Sequence, residues 1–214
     1  MVMRLLLVRH GITDWNAAGR FQGQADPGLN ETGQRQAAAI GKRLSGEALA
    51  SIYASDLKRA WQTAQAIAAF HDLDITPEPC LREVHFGEWE GLTYAEIQQR
   101  NPQELAAWQA DLLRIAPPGG ESLARLAARV EIALERIQRD QANQAERTIL
   151  LVSHGGPLQA LLCLALGLTP QKYWQFHLAP ASLSKVSLYP EGAIINLLND
   201  TCHLEALETA GWDD

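Results

Sequence analysis

The feature that most constrains this chain is a pair of uninterrupted apolar runs that end in the same way. Leu5-Leu6-Leu7-Val8 leads into Arg9-His10-Gly11, and Ile149-Leu150-Leu151-Val152 leads into Ser153-His154-Gly155-Gly156. An apolar run without alternation reads as a strand covered on both faces, which is how parallel strands sit between two helical layers. The rest of the sequence supplies those layers. Met3–Arg9, Ala50–Ala54 and Thr148–Ser153 read as strands, with a weaker one at Ile75–Glu78. Helices are predicted over Thr32–Leu44, capped by Asn30 or Thr32, and over Leu57–Phe70, behind the cap-type residues Ser55 and Asp56. Further helices are predicted over Ser122–Ala142 and from Pro157 to Leu166. Leu183–Tyr189 and Ala193–Leu198 read as a hairpin turning at Pro190-Glu191-Gly192, and the tail after Asp200 carries no signal. The alternation of strand and helix predicts a three-layer α/β/α sandwich with a mostly parallel sheet.

At 214 residues the chain is the size of one domain, 1–214. The stretch 91–118 changes character: it is rich in Gln and Glu, holds Trp108 and ends in Pro117-Pro118-Gly119-Gly120. It reads as one or two short helices forming a lid insertion. The net charge of −7 argues against a nucleic-acid or anionic-membrane binder, which needs a positive surface. It leaves room for a locally positive pocket. Three cysteines without a CxxC pair, and an apolar N-terminal run that stops at Arg9 with no cleavage site after it, point to a cytoplasmic protein.

In open α/β sheets ligands bind beyond the carboxyl ends of the strands. His10 and His154 both fall there, within contact range if their strands are neighbours. The glycines that follow, Gly155 among them, let backbone approach a ligand and leave amides free to point at it. Arg9 adjoins His10, and Arg59 opens the helix after the second strand. Arginine carries a permanent charge on a fork of donors that fits two phosphate oxygens. Two arginines, two histidines and a helix N-terminus would make a site for a phosphate dianion.

The same residues carry a family resemblance. The blocks are Arg9-His10-Gly11-Ile12-Thr13-Asp14-Trp15-Asn16, Arg20-Phe21-Gln22-Gly23, Leu29-Asn30-Glu31-Thr32-Gly33, Ser55-Asp56-Leu57-Lys58-Arg59-Ala60, Leu81-Arg82-Glu83 with Phe86-Gly87-Glu88-Trp89-Glu90-Gly91, and Val152-Ser153-His154-Gly155-Gly156. In this order they resemble the histidine phosphatase superfamily, the phosphoglycerate-mutase-like proteins. The resemblance implies that His10 is a nucleophile that becomes phosphorylated. Arg9, Arg59 and His154 would neutralise the phosphoryl oxygens, and Glu83 would be the general acid. It further implies that Asn16 binds phosphate, that Gln22 and Gly23 contact substrate, and that no metal or cofactor is needed. His85, two residues past Glu83, either faces the pocket and reads the far end of the substrate or packs at the surface.

The implied activity is that of a metal-independent phosphomonoesterase acting on a small phosphorylated metabolite. The chain resembles the phosphatase branch, which includes metal-independent phosphoserine and α-ribazole phosphatases. Phosphoserine or a similar carboxylated phosphate is favoured if His85 faces the pocket. Two alternatives stand beside it: a cofactor-dependent phosphoglycerate mutase, and a catalytically dead binding protein on this scaffold. A mutase must hold a bisphosphate, yet Arg100 and Arg114 are the only basic residues of 91–118. A homodimer through the apolar C-terminal hairpin is a further expectation.

Overall fold

In the computed structural model, which describes residues 2–141, 146–205 and 207, six strands form one sheet in the order β3-β2-β4-β1-β5-β6. In chain order the elements are β1 (Val2–Arg9), α1 (Asp14–Ala17), α2 (Glu31–Leu44), β2 (Ser51–Ala54), α3 (Lys58–Ala68), β3 (Ile75–Pro77), α4 (Tyr94–Arg100), α5 (Pro102–Ala110), α6 (Leu123–Asp140), β4 (Glu146–Ser153), α7 (Gly155–Ala165), β5 (Leu183–Tyr189) and β6 (Gly192–Asp200). Strands β3, β2, β4 and β1 are mutually parallel, and β5 and β6 run antiparallel at one edge.

The two apolar runs form the centre of the sheet and pair with each other, Leu5 opposite Ile149 and Arg9 opposite Ser153. Alternation along a strand sends side chains to opposite faces. Leu5, Leu7, Ile149 and Leu151 pack against Leu126, Val130, Ile137 and Leu161 of α6 and α7. Leu6, Val8, Leu150 and Val152 pack against Ile40, Leu44, Ala64 and Ile67 of α2 and α3. The predicted three layers are present. Among the described residues, no helix is long and apolar enough to cross a membrane.

Most predicted elements recur with ends moved by a residue or two. Ala142, the predicted end of the long helix, lies outside the described residues. One local reading is corrected. Ser55 and Asp56 do not cap α3, whose N-cap position is Leu57 with no side-chain bond. Ser55 Oγ instead lies 2.8 Å from His154 Nε2, and Asp56 takes two hydrogen bonds from Arg82, at 2.7 and 2.5 Å. Both side chains are drawn to tertiary partners, Asp56 to a charge-assisted one stronger than a cap.

The stretch 91–118 contains α4 and α5, the two short helices expected. Thr93 and Glu96 form a reciprocal capping box at the start of α4. Ile97 and Leu105 pack on fully buried Trp89 in a satellite core of their own, with Phe21, Phe86, Leu92 and Trp108 around it. Trp89 meets Trp108 edge-on at 5.4 Å between ring centroids. This core is separate from the two that flank the sheet.

The loop leaving β1 is pressed against the start of α2. A Cβ on Gly33 would lie 2.0 Å from the Ile12 carbonyl oxygen, and one on Gly11 would lie 2.6 Å from that of Gly33. Both neighbours are backbone, which cannot rotate aside. Gly33→Ala should therefore cost about 1–3 kcal/mol as overpacking does. Thermal unfolding should show Tm lowered by several degrees, and an unchanged Tm would mean that this contact does not hold the loop.

Candidate active site

Because β1 and β4 are in register at Arg9 and Ser153, the next residue of each strand is a histidine at the same level. The His10 amide donates to the Ser153 carbonyl at 2.9 Å, and the two imidazoles meet edge to face with centroids 5.0 Å apart. Both are buried. His10 Nδ1 lies 2.6 Å from the Gly11 carbonyl oxygen, the acceptor expected just past the strand. A carbonyl can only accept, so Nδ1 carries the proton and Nε2 keeps its lone pair. Burial, then the charges of Arg59 and Arg9, hold the His10 pKa well below the ordinary histidine value against the pull of that bond. Burial and the same arginines hold His154 down as well.

The arginines, Arg59 buried and Arg9 partly so, have incomplete partners. Arg59 has no accessible surface. It donates from Nη1 to the Ala25 carbonyl at 2.8 Å and from Nη2 to that of Gly23 at 2.7 Å. Arg9 donates from Nη1 to the Leu178 carbonyl at 2.6 Å. Neither has a carboxylate in direct contact, and burial lowers both pKa values while the charge of Glu83 raises them. Arg9 Nε, Arg59 Nε and His154 Nδ1 are buried without a hydrogen-bond partner. Native interiors satisfy nearly all such groups. These three belong to one cluster of side chains beside His10.

Glu83 reaches this cluster from the other side. Its Oε1 accepts from the Val84 amide at 2.8 Å and from the Gly156 amide, in the first turn of α7, at 3.2 Å. A Cβ on Gly156 would sit 2.5 Å from that oxygen, so the second glycine after His154 makes room for the carboxylate. A Cβ on Gly155 would be 3.8 Å from the Arg9 guanidinium carbon. That is an ordinary contact distance, so position 155 has room for a side-chain carbon beside the arginine.

Asn16 and Gln22 are held by Thr13. Thr13 donates its amide to Asn16 Oδ1 at 3.1 Å and its hydroxyl to buried Gln22 Oε1 at 2.8 Å. Each amide side chain is fixed through its oxygen, which leaves its NH2 group to face a ligand. Gly23 adopts φ +55°, and a Cβ there would overlap Glu90 Oε1 at 2.1 Å. His85 is 41% exposed at its side chain, with Nε2 3.8 Å from Glu90 Oε1. Glu90 in turn accepts from the amides of Gln24 and Ala25 at 2.9 and 2.8 Å. His85 thus adjoins the loop whose carbonyls hold Arg59.

Four contributors carry no signal in the sequence that marks them as such. Ser55 reads as a cap and Glu90 as one acid among many. Glu121 lies in the Pro-Pro-Gly-Gly-Glu turn, and Arg129 is one of several arginines on the polar face of α6. Yet Arg129 donates from Nη1 to the carbonyls of Cys80 and Arg82, at 2.7 and 2.6 Å, and from Nη2 to that of Glu83 at 2.9 Å. It also takes Glu121 as a bidentate partner, at 3.1 and 2.5 Å. The backbone carrying Glu83 is clamped to α6 by this one side chain. No group of His, Cys, Asp and Glu among the described residues is arranged to hold a metal ion.

The comparisons with known proteins agree with this geometry. A family model described as the histidine phosphatase superfamily (branch 1) matches residues 5–201. The chain is 37% identical over 203 residues to phosphoserine phosphatase 1 of Hydrogenobacter thermophilus, covering 95% of each. It is 40% identical over 211 residues to the metal-independent phosphoserine phosphatase of Arabidopsis thaliana, covering 96% of this chain and 85% of that one. Among solved structures, a putative alpha-ribazole-5'-P phosphatase from Escherichia coli superposes with a TM-score of 0.86 at 30% identity, over 92% of this chain and 96% of that one. With nearly its whole length matched, the chain belongs to the histidine phosphatase superfamily and is a phosphoric monoester hydrolase.

Proposed function

We propose that the protein hydrolyses a small phosphomonoester without a metal, through a phosphohistidine at His10. The observation that carries this reading is the His10 Nδ1–Gly11 bond, which leaves Nε2 as a neutral, buried nucleophile. Nε2 attacks phosphorus, the bond from phosphorus to the ester oxygen breaks, and Glu83 gives its proton to the departing alkoxide. Water then attacks phosphorus, its proton goes to Glu83, the phosphorus–Nε2 bond breaks with its electron pair returning to His10, and phosphate leaves. Arg9, Arg59 and His154 supply the positive charge and donors that the equatorial oxygens need. Asn16, Gln22 and the glycine amides at 23 and 155 orient the phosphoryl group. No step requires a divalent ion.

Hydrolysis is favoured over phosphoryl transfer to a second substrate site by the stretch 91–118, read here as the lid of a one-domain protein. Arg100 is exposed, and Arg114 is 81% exposed at its side chain and paired with Asp111. Neither is placed to hold a second anionic group. Phosphoserine is the substrate best supported. Two relatives carry it in their names, and the His85 imidazole beside the Glu90 carboxylate offers polar groups to the two charged ends of an amino acid.

Rapid-quench labelling with a phosphorus-32 ester, in excess EDTA, tests the reaction. Label should appear on His10, labile to acid and stable to alkali, and His10→Ala should lose several orders of magnitude in kcat. Label elsewhere, or a requirement for a divalent ion, would refute the scheme. For the substrate, His85→Ala should raise KM for phosphoserine more than for para-nitrophenyl phosphate. Equal effects on both would remove His85 from recognition.

The buried histidines also set a pH dependence. The folded pKa values of His10 and His154 lie below the unfolded value of about 6.5, so the folded state binds fewer protons. Stability contributed by these groups is present above that value and is lost as pH falls below it. The Tm of the free protein should drop between about pH 7.5 and about pH 5.5, and saturating phosphate should flatten the drop, because a bound dianion favours imidazolium. A phosphate-independent profile would contradict this.

A further inference from the structure

A cavity of about 200 Å³ opens beside Glu83, and neither Arg9 nor Arg59 is among its lining residues. Its walls are apolar: Val84, Phe86, Trp108, Leu112, Leu123 and Tyr173. Among the described residues, no Lys, Arg or His lines it. Besides the Tyr173 hydroxyl and Glu83 Oε2, its polar members are already engaged. Glu121 is taken by Arg129 and by the His85 amide at 2.9 Å, and Gln159 donates to the Phe176 carbonyl at 2.6 Å. Glu83 Oε1 is held by two amides. An occupant therefore finds contact surface and few free polar groups, the reverse of what serine or a second anion needs.

We infer that this cavity receives the apolar body of a second class of substrate, phosphomonoesters of alkyl or aryl alcohols. The inference rests on Glu83 as the acid. The oxygen that takes its proton is the ester oxygen, so the first carbon of the leaving group starts within reach of Glu83, at the cavity's mouth. Gly156 lines the same mouth and follows Gly155, which lies against Arg9. The space exceeds the roughly 150 Å³ that holds a benzene ring. Its wall is formed in advance. Trp108 is fixed edge-on against Trp89 at 5.4 Å and stands 6.4 Å from Phe86. Two faces then flank the acid, a polar one at His85 and Glu90 and an apolar one here. The first suits an amino acid, the second a hydrocarbon.

The test uses the full chain and two homologous series running from methyl to hexyl: n-alkyl phosphates as substrates and n-alkylphosphonates, which cannot be turned over, as inhibitors. Each methylene buried should raise kcat/KM and lower Ki by up to about fourfold, until the cavity fills. Leu112→Asp should flatten both gradients. Leu112→Ala, which spares the fold more, should flatten them partly. A Ki independent of chain length, or gradients unchanged in both variants, would overturn the inference. Flat gradients with label still on His10 would defeat it alone. Steep gradients with no label on His10 would defeat the phosphohistidine scheme and leave the cavity assignment standing.

Discussion

The parallel pairing of β1 with β4 is the constraint on which the site depends. One residue of slippage in that register would separate His10 from His154 by a peptide unit and turn every side chain of the strand to the opposite face. The register is held by eight paired positions whose central side chains are buried on both faces, in two hydrophobic layers at once. The placement of the two imidazoles is thus enforced by bulk packing several residues away, and the site itself contributes little to holding it.

That division suits a site which works against stability. Two guanidinium groups and two imidazoles share a buried volume where three of their nitrogens lack partners. Such an arrangement is unfavourable by itself and is relieved by a bound dianion. The same deficit makes the site electrostatically prepared for a transition state with charge on the equatorial oxygens. His10 follows the same logic: burial first, and then the charges of Arg59 and Arg9, hold its pKa well below the ordinary histidine value.

Much of this was legible in the sequence because it is written in local patterns. The doubly buried strands, the His-Gly ends and the cap at Asn30, whose side chain accepts from the Gly33 amide at 2.9 Å, need only neighbours in the chain. The acceptor for His10 is adjacent to it. What escaped was non-local. Ser55 and Asp56 have the look of caps, and only the fold shows partners 99 and 26 residues away drawing them off. The side on which His85 lies depends on Glu90 and on loop 23–25, and no spacing argument reaches that. Arg129 sits at a polar position of an amphipathic helix, where pattern assigns solvent.

The Arg129 clamp has a consequence for how a protein of this kind can change. It ties the carbonyls of residues 80, 82 and 83 to α6, a helix packed on the sheet, and holds Glu121 at the same time. Glu83 is therefore anchored to the scaffold and not to the inserted helices. Residues of α4 and α5 can drift, lengthen or be replaced while Glu83 keeps its place, so selectivity is free to diverge without a matching change in chemistry. Lysine could not stand in at 129, because a single ammonium cannot span several carbonyls and a carboxylate in one plane. The capacity of this scaffold to acquire new substrates would then reside in one arginine that touches none of them.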